Sequence, residues 1–277
     1  MKRLVSVLAL VALVVAACGS SDSSGGRRIV ATTTQLADMA RNIDPDADVT
    51  ALLSPDTDPH AYEVRPNDVK ALAGADLVLR SGGETDEWLE GALESAGVGD
   101  DKIVDAGAAA GLEGDDPHWW QDPTKAERAV VTIARALGVD ARAYVARLRE
   151  LDQAVQACID AVPADQRLLV TSHDALGHYA RRYDIRVVGT VIPSLSTSGQ
   201  PSAGEVDALV RTIRETGVKT IFAESSVNAK VEQAIATESG ARVGKALWAD
   251  SLGPEGSDGA TYIDSIKANT RALVEGF

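Results

Sequence analysis

The chain has 277 residues, a formal net charge of −14 and only two cysteines. Such an acidic surface repels nucleic acid and anionic lipid, which excludes both as partners of the folded part. Two cysteines exclude a disulfide framework, and the length suits one large or two modest domains.

Residues 1–17 read as a signal peptide. Lys2 and Arg3 form a basic start, and Leu4 to Val15 is an apolar run broken only by Ser6. That run is too short to span a bilayer as a mature helix. Val15-Ala16-Ala17-Cys18 resembles a bacterial lipobox, in which the Cys18 thiol is acylated and becomes the new N-terminus. The Ser/Gly stretch that follows makes residues 18–27 a flexible tether. No later run is apolar and long enough to cross a membrane. The predicted location is therefore the outer or periplasmic side of the cell membrane, reached through a lipid anchor.

Strand-like and helix-like segments then alternate. Strands are expected at 28–33, 48–54, 76–80 and 102–106, with helices at 35–42, 67–73, 85–95 and 123–137. Pro123 suits the first position of its helix and Gly138 its end. The stretch GAAAGLEGDDPHWWQDP, which leads from the strand at 102–106 into that helix, reads as a small-residue, acidic loop.

The longest periodic segment is 140–162. Tyr144, Leu148, Leu151, Val155, Cys158, Ile159 and Val162 recur at steps of three and four, which places one apolar stripe on one face of an α-helix. Asp140 is the expected N-cap and Pro163 the stop. On this stripe Cys158 reads as a buried small hydrophobe.

After it the alternation resumes, with strands at 167–172, 185–192, 218–224 and 241–247. Helices follow His173 through Arg182 and cover 203–216, 229–239 and 262–274. The pattern predicts an α/β protein of two Rossmann-like lobes with parallel sheets, 28–139 and 163–277, joined by the helix at 140–162. No internal sequence repeat is evident.

Only four histidines are present. His60 and His173 follow strands, as does Asp250, and ligands of open α/β sheets bind beyond the carboxyl ends of strands. His118 sits in the loop before the helix at Pro123. Each half of the chain thus offers two potential metal ligands. His60 and His118 both occur as D-P-H. The proline stiffens the loop, and Asp58 and Asp116 are placed to accept the second ring N–H of a liganding imidazole.

The stretches TDPHAYEVRPNDVKAL, DPHWWQDP, LVTSHDALGHYARRY, QPSAGEVDALVRTIRETGVKTIFAES and LWADSLG resemble the zinc/manganese solute-binding lipoproteins of ABC importers. The resemblance runs in order from about residue 29 to the C-terminus. It implies a helical backbone between two lobes and a four-ligand site carried onto His60, His118, His173 and Asp250. Three imidazoles and a carboxylate suit zinc; manganese is the second choice, and members selective for it typically present glutamate where this chain has His173.

Two departures stand out. The histidine-rich loop of many zinc members is here short and acidic, and His178 occupies a usually aromatic position. His178 lies about 140° round a helix from His173, so it is expected outside the site. Glu224 is the rival to Asp250 for the fourth position; the family pattern gives it a supporting role. Trp119, Trp120 and Trp248 are candidates for core packing, for a dry wall around the metal, or for both.

The implied function is extracytoplasmic capture of zinc and delivery to an ABC permease, by a non-enzymatic monomer. Manganese or mixed-metal binding is the alternative, and a zinc-dependent hydrolase is the main alternative class. A hydrolase needs an open coordination position, which four protein ligands would fill, and no H-E-x-x-H is present. Three histidines of pKa about 6.5 predict that affinity falls as pH drops through that region.

Overall fold

The computed structural model describes residues 26–112 and 115–277. The expected signal peptide, the Cys18 lipobox and most of the tether lie outside the described residues. Among those described, no helix is long and apolar enough to cross a membrane.

The first sheet contains β1 (Arg28–Ala31), β2 (Asp48–Ala51), β3 (Leu77–Arg80) and β4 (Ile103–Asp105), all parallel, in the order β2-β1-β3-β4. The helices of this half are α1 (Thr34–Ile43), α2 (Pro66–Ala73), α3 (Leu89–Ala96), α4 (Ala106–Ala110) and α5 (Pro123–Leu137). Parallel neighbours require crossovers, and the intervening helices supply them. Thr33 caps α1 by accepting from the Leu36 N–H, and Asp122 caps α5 by accepting from that of Thr124.

The long helix α6 (Arg142–Asp160) follows. It starts slightly later than expected, because Asp140 accepts from the Arg142 N–H one position before the cap residue Ala141. Tyr144, Val145, Leu148, Leu151, Val155 and Ile159 are buried along it, as the periodicity predicts. Cys158 is exposed, contrary to expectation. It falls at the edge of the stripe, beside a shallow apolar groove against the last helix, α10 (Tyr262–Gly276), and not under it.

The second half holds β5 (Leu168–Thr171), α7 (Gly177–Arg182), β6 (Arg186–Thr190), α8 (Ala203–Thr216), β7 (Thr220–Ile221), α9 (Lys230–Ser239) and β8 (Arg242–Val243). β5 pairs with β6 and β7 with β8, all parallel, while bridges at Thr171–Phe222 and Glu224–Leu247 join and extend the two pairs. The combined order β6-β5-β7-β8 repeats that of the first sheet. Both lobes are therefore the same winding, although no repeat is visible in the residues.

The stretch expected to be all loop before His118 contains the short helix α4, started by Asp105 accepting from the Ala108 N–H and ended by Gly111 at positive φ. Alanine, the best helix former, fills it.

Among the described residues, apolar burial divides into three groups. One lies on the outer face of the first sheet, around Val30, Leu72, Val78 and Leu93. A second surrounds Val170, Val210, Ile213 and Ile221 in the second lobe. The third is continuous through both lobes, from Ile29 and Leu36 through Ile133, Leu148 and Leu151 to Tyr179, Phe222 and Tyr262. The buried face of the linking helix is thus part of a shared core.

Candidate metal centre

Each of the four predicted ligands is presented by a local device that its neighbours dictate. His60 lies in a single 3₁₀ turn, Pro59–Ala61, with Asp58 at its cap accepting from the His60 N–H at 2.9 Å. His118 precedes a second such turn, Trp119–Gln121, and its own N–H donates to Asp116 at 3.1 Å. His173 follows β5 after one residue, and the Thr171 hydroxyl donates to its carbonyl oxygen at 2.7 Å. Asp250 lies just past the Glu224–Leu247 bridge, where the Ala249 carbonyl accepts from the Trp120 indole and the Gln121 amide. The Asp250 loop is thereby stitched to both lobes.

The structure brings these four side chains together. One donor atom from each lies within 4.8 Å of all the others. Nε2 of His118 and Nε2 of His173 are 3.3 Å apart. Asp250 carboxylate oxygens lie 3.8 Å from His60 Nε2, 3.5 Å from His118 Nε2 and 3.4 Å from His173 Nε2. All four side chains are at most 1% exposed.

His60 Nε2 and both Asp250 oxygens have no hydrogen-bond partner. Buried polar atoms are normally satisfied, and leaving one unpaired costs about 1–3 kcal/mol, more when charged. Three such atoms facing one point describe a cavity shaped for a cation.

Neighbouring carboxylates orient two of the rings. His173 Nδ1 is 2.8 Å from Glu224 Oε1, which also accepts from the His173 N–H at 3.0 Å. His118 Nδ1 is 3.0 Å from Asp116 Oδ1. With both Nδ1 atoms donating, both Nε2 atoms turn inward, where a cation that displaces their protons would meet two lone pairs. Glu224 thus stands behind His173, and Asp250 stands in the cluster. Asp58 departs from its expected role, since it meets the backbone N–H of His60 and not the ring.

Proton affinities follow these surroundings. Burial, with repulsion from His118 and His173, lowers His60 to about 3. Burial also works to lower His173, but the Asp250 and Glu224 carboxylates outweigh it and raise the imidazole to about 9. Burial lifts Asp250 to about 6 against the pull of His173 and His118. Asp116 is held down to about 2, because hydrogen bonds and charge from His118 outweigh its burial.

Among the tryptophans, Trp120 packs edge-on to His118 with ring centroids 5.4 Å apart. Trp119 is fully buried and donates to the Ser81 carbonyl oxygen at 2.9 Å. Trp248 is not a wall of the cluster: it is half-buried, and its indole donates to Asp258 at 3.1 Å. Gly253 and Gly259 make room for that indole, since a Cβ on Gly259 would come within 2.3 Å of Trp248 Nε1. His178 is buried outside the cluster, 3.2 Å from the Asp116 carbonyl oxygen. Thr197, unmarked by any motif, donates its hydroxyl to Asp58 at 2.6 Å. No periodicity marks a threonine in a Ser/Gly/Pro loop; its significance comes from the partner across the seam.

Two lobes of parallel sheet, a helix between them that buries one face, and a sealed cluster of nitrogen and oxygen donors define a substrate-binding receptor that takes a metal ion. Comparison with known proteins agrees. The model of the family described as zinc-uptake complex component A, periplasmic, matches residues 29–276, and the chain belongs to that family. Its members are metal-binding receptors of ABC importers and are not enzymes.

A manganese-binding lipoprotein, MntA, of Halalkalibacterium halodurans is 28% identical, covering 98% of this chain and 96% of the relative. The iron-binding protein YfeA of Yersinia pestis is 29% identical, covering 93% of this chain and 88% of the relative. The solved periplasmic zinc-binding protein TroA from Treponema pallidum superposes with a TM-score of 0.82 at 26% identity, covering 91% of this chain and 99% of that one.

Proposed function

We propose that this protein captures zinc outside the cell membrane, holding one ion on His60, His118, His173 and Asp250, and passes it to an ABC permease. The observation that supports zinc is the spacing of the donors. Four ligands about 2.05 Å from a tetrahedral ion lie about 3.3 Å apart. The separations to Asp250 and between His118 and His173 run from 3.3 to 3.8 Å, and all four donors lie within 4.8 Å of one another. Octahedral neighbours at similar bond lengths lie closer, about 3.0 Å, and six positions ask for more oxygen donors than one carboxylate supplies.

Manganese is the second reading. The relative named for manganese favours it, as do the two unpartnered oxygens of Asp250, which permit bidentate coordination. Competition between zinc and manganese for the metal-free protein separates the two. The parent should prefer zinc, and His173→Glu, which exchanges a nitrogen donor for a second carboxylate, should move the preference toward manganese. A parent that takes manganese and leaves zinc in solution contradicts the assignment.

The mature protein is further proposed to be a monomer held to the membrane by lipid on Cys18. Its proposed divisions are 28–139 for the first lobe, 140–162 for the linking helix and 163–277 for the second lobe. Replacing Cys18 by alanine in the native host should leave unprocessed or unanchored material; a variant processed and anchored as before contradicts the lipid assignment.

A further inference from the structure

We propose that the aspartates of the two D-P-H tripeptides are clasps across the seam between the lobes, each grasping a metal-binding histidine on one side and a donor of the opposite lobe on the other. Asp58 accepts from the His60 N–H through Oδ1 and from the Thr197 hydroxyl through Oδ2, at 2.9 and 2.6 Å. Ser198, beside Thr197, reaches the His60 carbonyl oxygen at 3.5 Å.

Asp116 repeats the arrangement. Its Oδ1 accepts from the backbone and ring of His118, and its Oδ2 accepts from Arg181 Nη2 at 3.2 Å. Arg181 also donates to His178 Nδ1 at 3.0 Å, which leaves His178 Nε2 to donate to the Asp116 carbonyl oxygen at 3.2 Å. Gly177, at the start of α7, permits the close approach: a Cβ there would stand 2.7 Å from Asp116 Oδ2.

One tripeptide, used twice, thus ties two ligands of the first lobe to the Thr197 loop and to helix α7 of the second. Neither of those segments contains a ligand of its own. Their donors become positioning residues that govern how fast the sealed site opens. This rests on the metal-binding reading above. Residues behind a ligand typically alter metal affinity by about 10- to 100-fold. An exposed ion pair contributes less, so Arg181, whose side chain is 63% exposed, should contribute least.

The test is the rate of zinc release to excess chelator at fixed neutral pH, measured on the mature chain, together with association rate and stoichiometry. Zinc chloride is the probe, with manganese chloride in parallel. Thr197→Val and Gly177→Ala should each speed release about tenfold, and Arg181→Gln about threefold, with stoichiometry at the parent's value. Thr197→Ser and Arg181→Lys should restore slow release.

Release at the parent's rate in Thr197→Val and Gly177→Ala overturns the clasp. Faster release accompanied by lost stoichiometry, or not restored by the conservative changes, overturns it as well by showing general damage. A parent that binds neither metal overturns the metal reading itself, before any variant is compared.

Discussion

At the residue scale, the chemistry turns on protons that a cation must displace. His173, raised to about 9, carries a proton at neutral pH in the metal-free protein. Asp250, raised to about 6, takes one up below that value. His60, lowered to about 3, binds none until strong acid. Protons and metal compete, so affinity must rise with pH. The expected slope is about tenfold per pH unit from 6 to 9 and steeper below 6.

Unshifted histidines would instead concentrate the loss just below their ordinary pKa of about 6.5. Zinc dissociation constants measured by chelator competition across this range decide between the two; a flat profile from pH 7 to 9 contradicts the raised His173. Behind that ring, Glu224→Gln removes the charge that holds the Nδ1 proton. It should weaken zinc binding by about 10- to 100-fold, as read by the same competition. Unchanged affinity would remove Glu224 from the site.

At the element scale, all eight strands and the main helices were legible, because apolar runs and 3.6-residue periodicity encode them directly. The ends of strands were less so: β7 and β8 are two residues each where seven were expected, since apolar character continues past the point where pairing stops. Helix α4 hid in a run of alanine and glycine that carries no periodicity. The four clustered side chains were legible as a set only through the family resemblance, since three of them follow strands but His118 precedes a helix. The supporting contacts were only partly so. Asp116 orients its ring as expected, whereas Asp58 does not, and Trp248 turns toward Asp258.

Cys158 shows the limit of a stripe, because a residue at its edge is covered only if the neighbouring helix reaches it. Its exposure predicts complete reaction with a thiol reagent in the folded protein; protection until denaturation would return it to the core. Leu148, fully buried on the same helix, should cost about 2–5 kcal/mol when changed to alanine, measured by denaturant unfolding.

At the scale of the whole molecule, the shared core and the sealed site impose opposing demands. Apolar packing continuous from Ile29 through α6 to Tyr262 resists independent movement of the lobes. Side chains at most 1% exposed nevertheless require some opening for an ion to enter. The loop bearing Thr197, which places no residue in that core, is the part that can yield without breaking it. Heating should therefore give a single cooperative transition, raised by about 2.7 kcal/mol in stability at a hundredfold excess of free zinc over Kd. Two separated transitions would show that the lobes unfold independently.

One zinc ion, on the proposed reading, is held in four-coordinate geometry by three imidazoles and one carboxylate. X-ray absorption at the zinc edge of the stoichiometrically loaded protein tests it most directly. The account predicts about four nitrogen and oxygen neighbours near 2.0–2.1 Å, with outer-shell scattering from three imidazole rings that falls to two in His173→Ala. Six oxygen-dominated neighbours, or imidazole scattering unchanged in that variant, would contradict it.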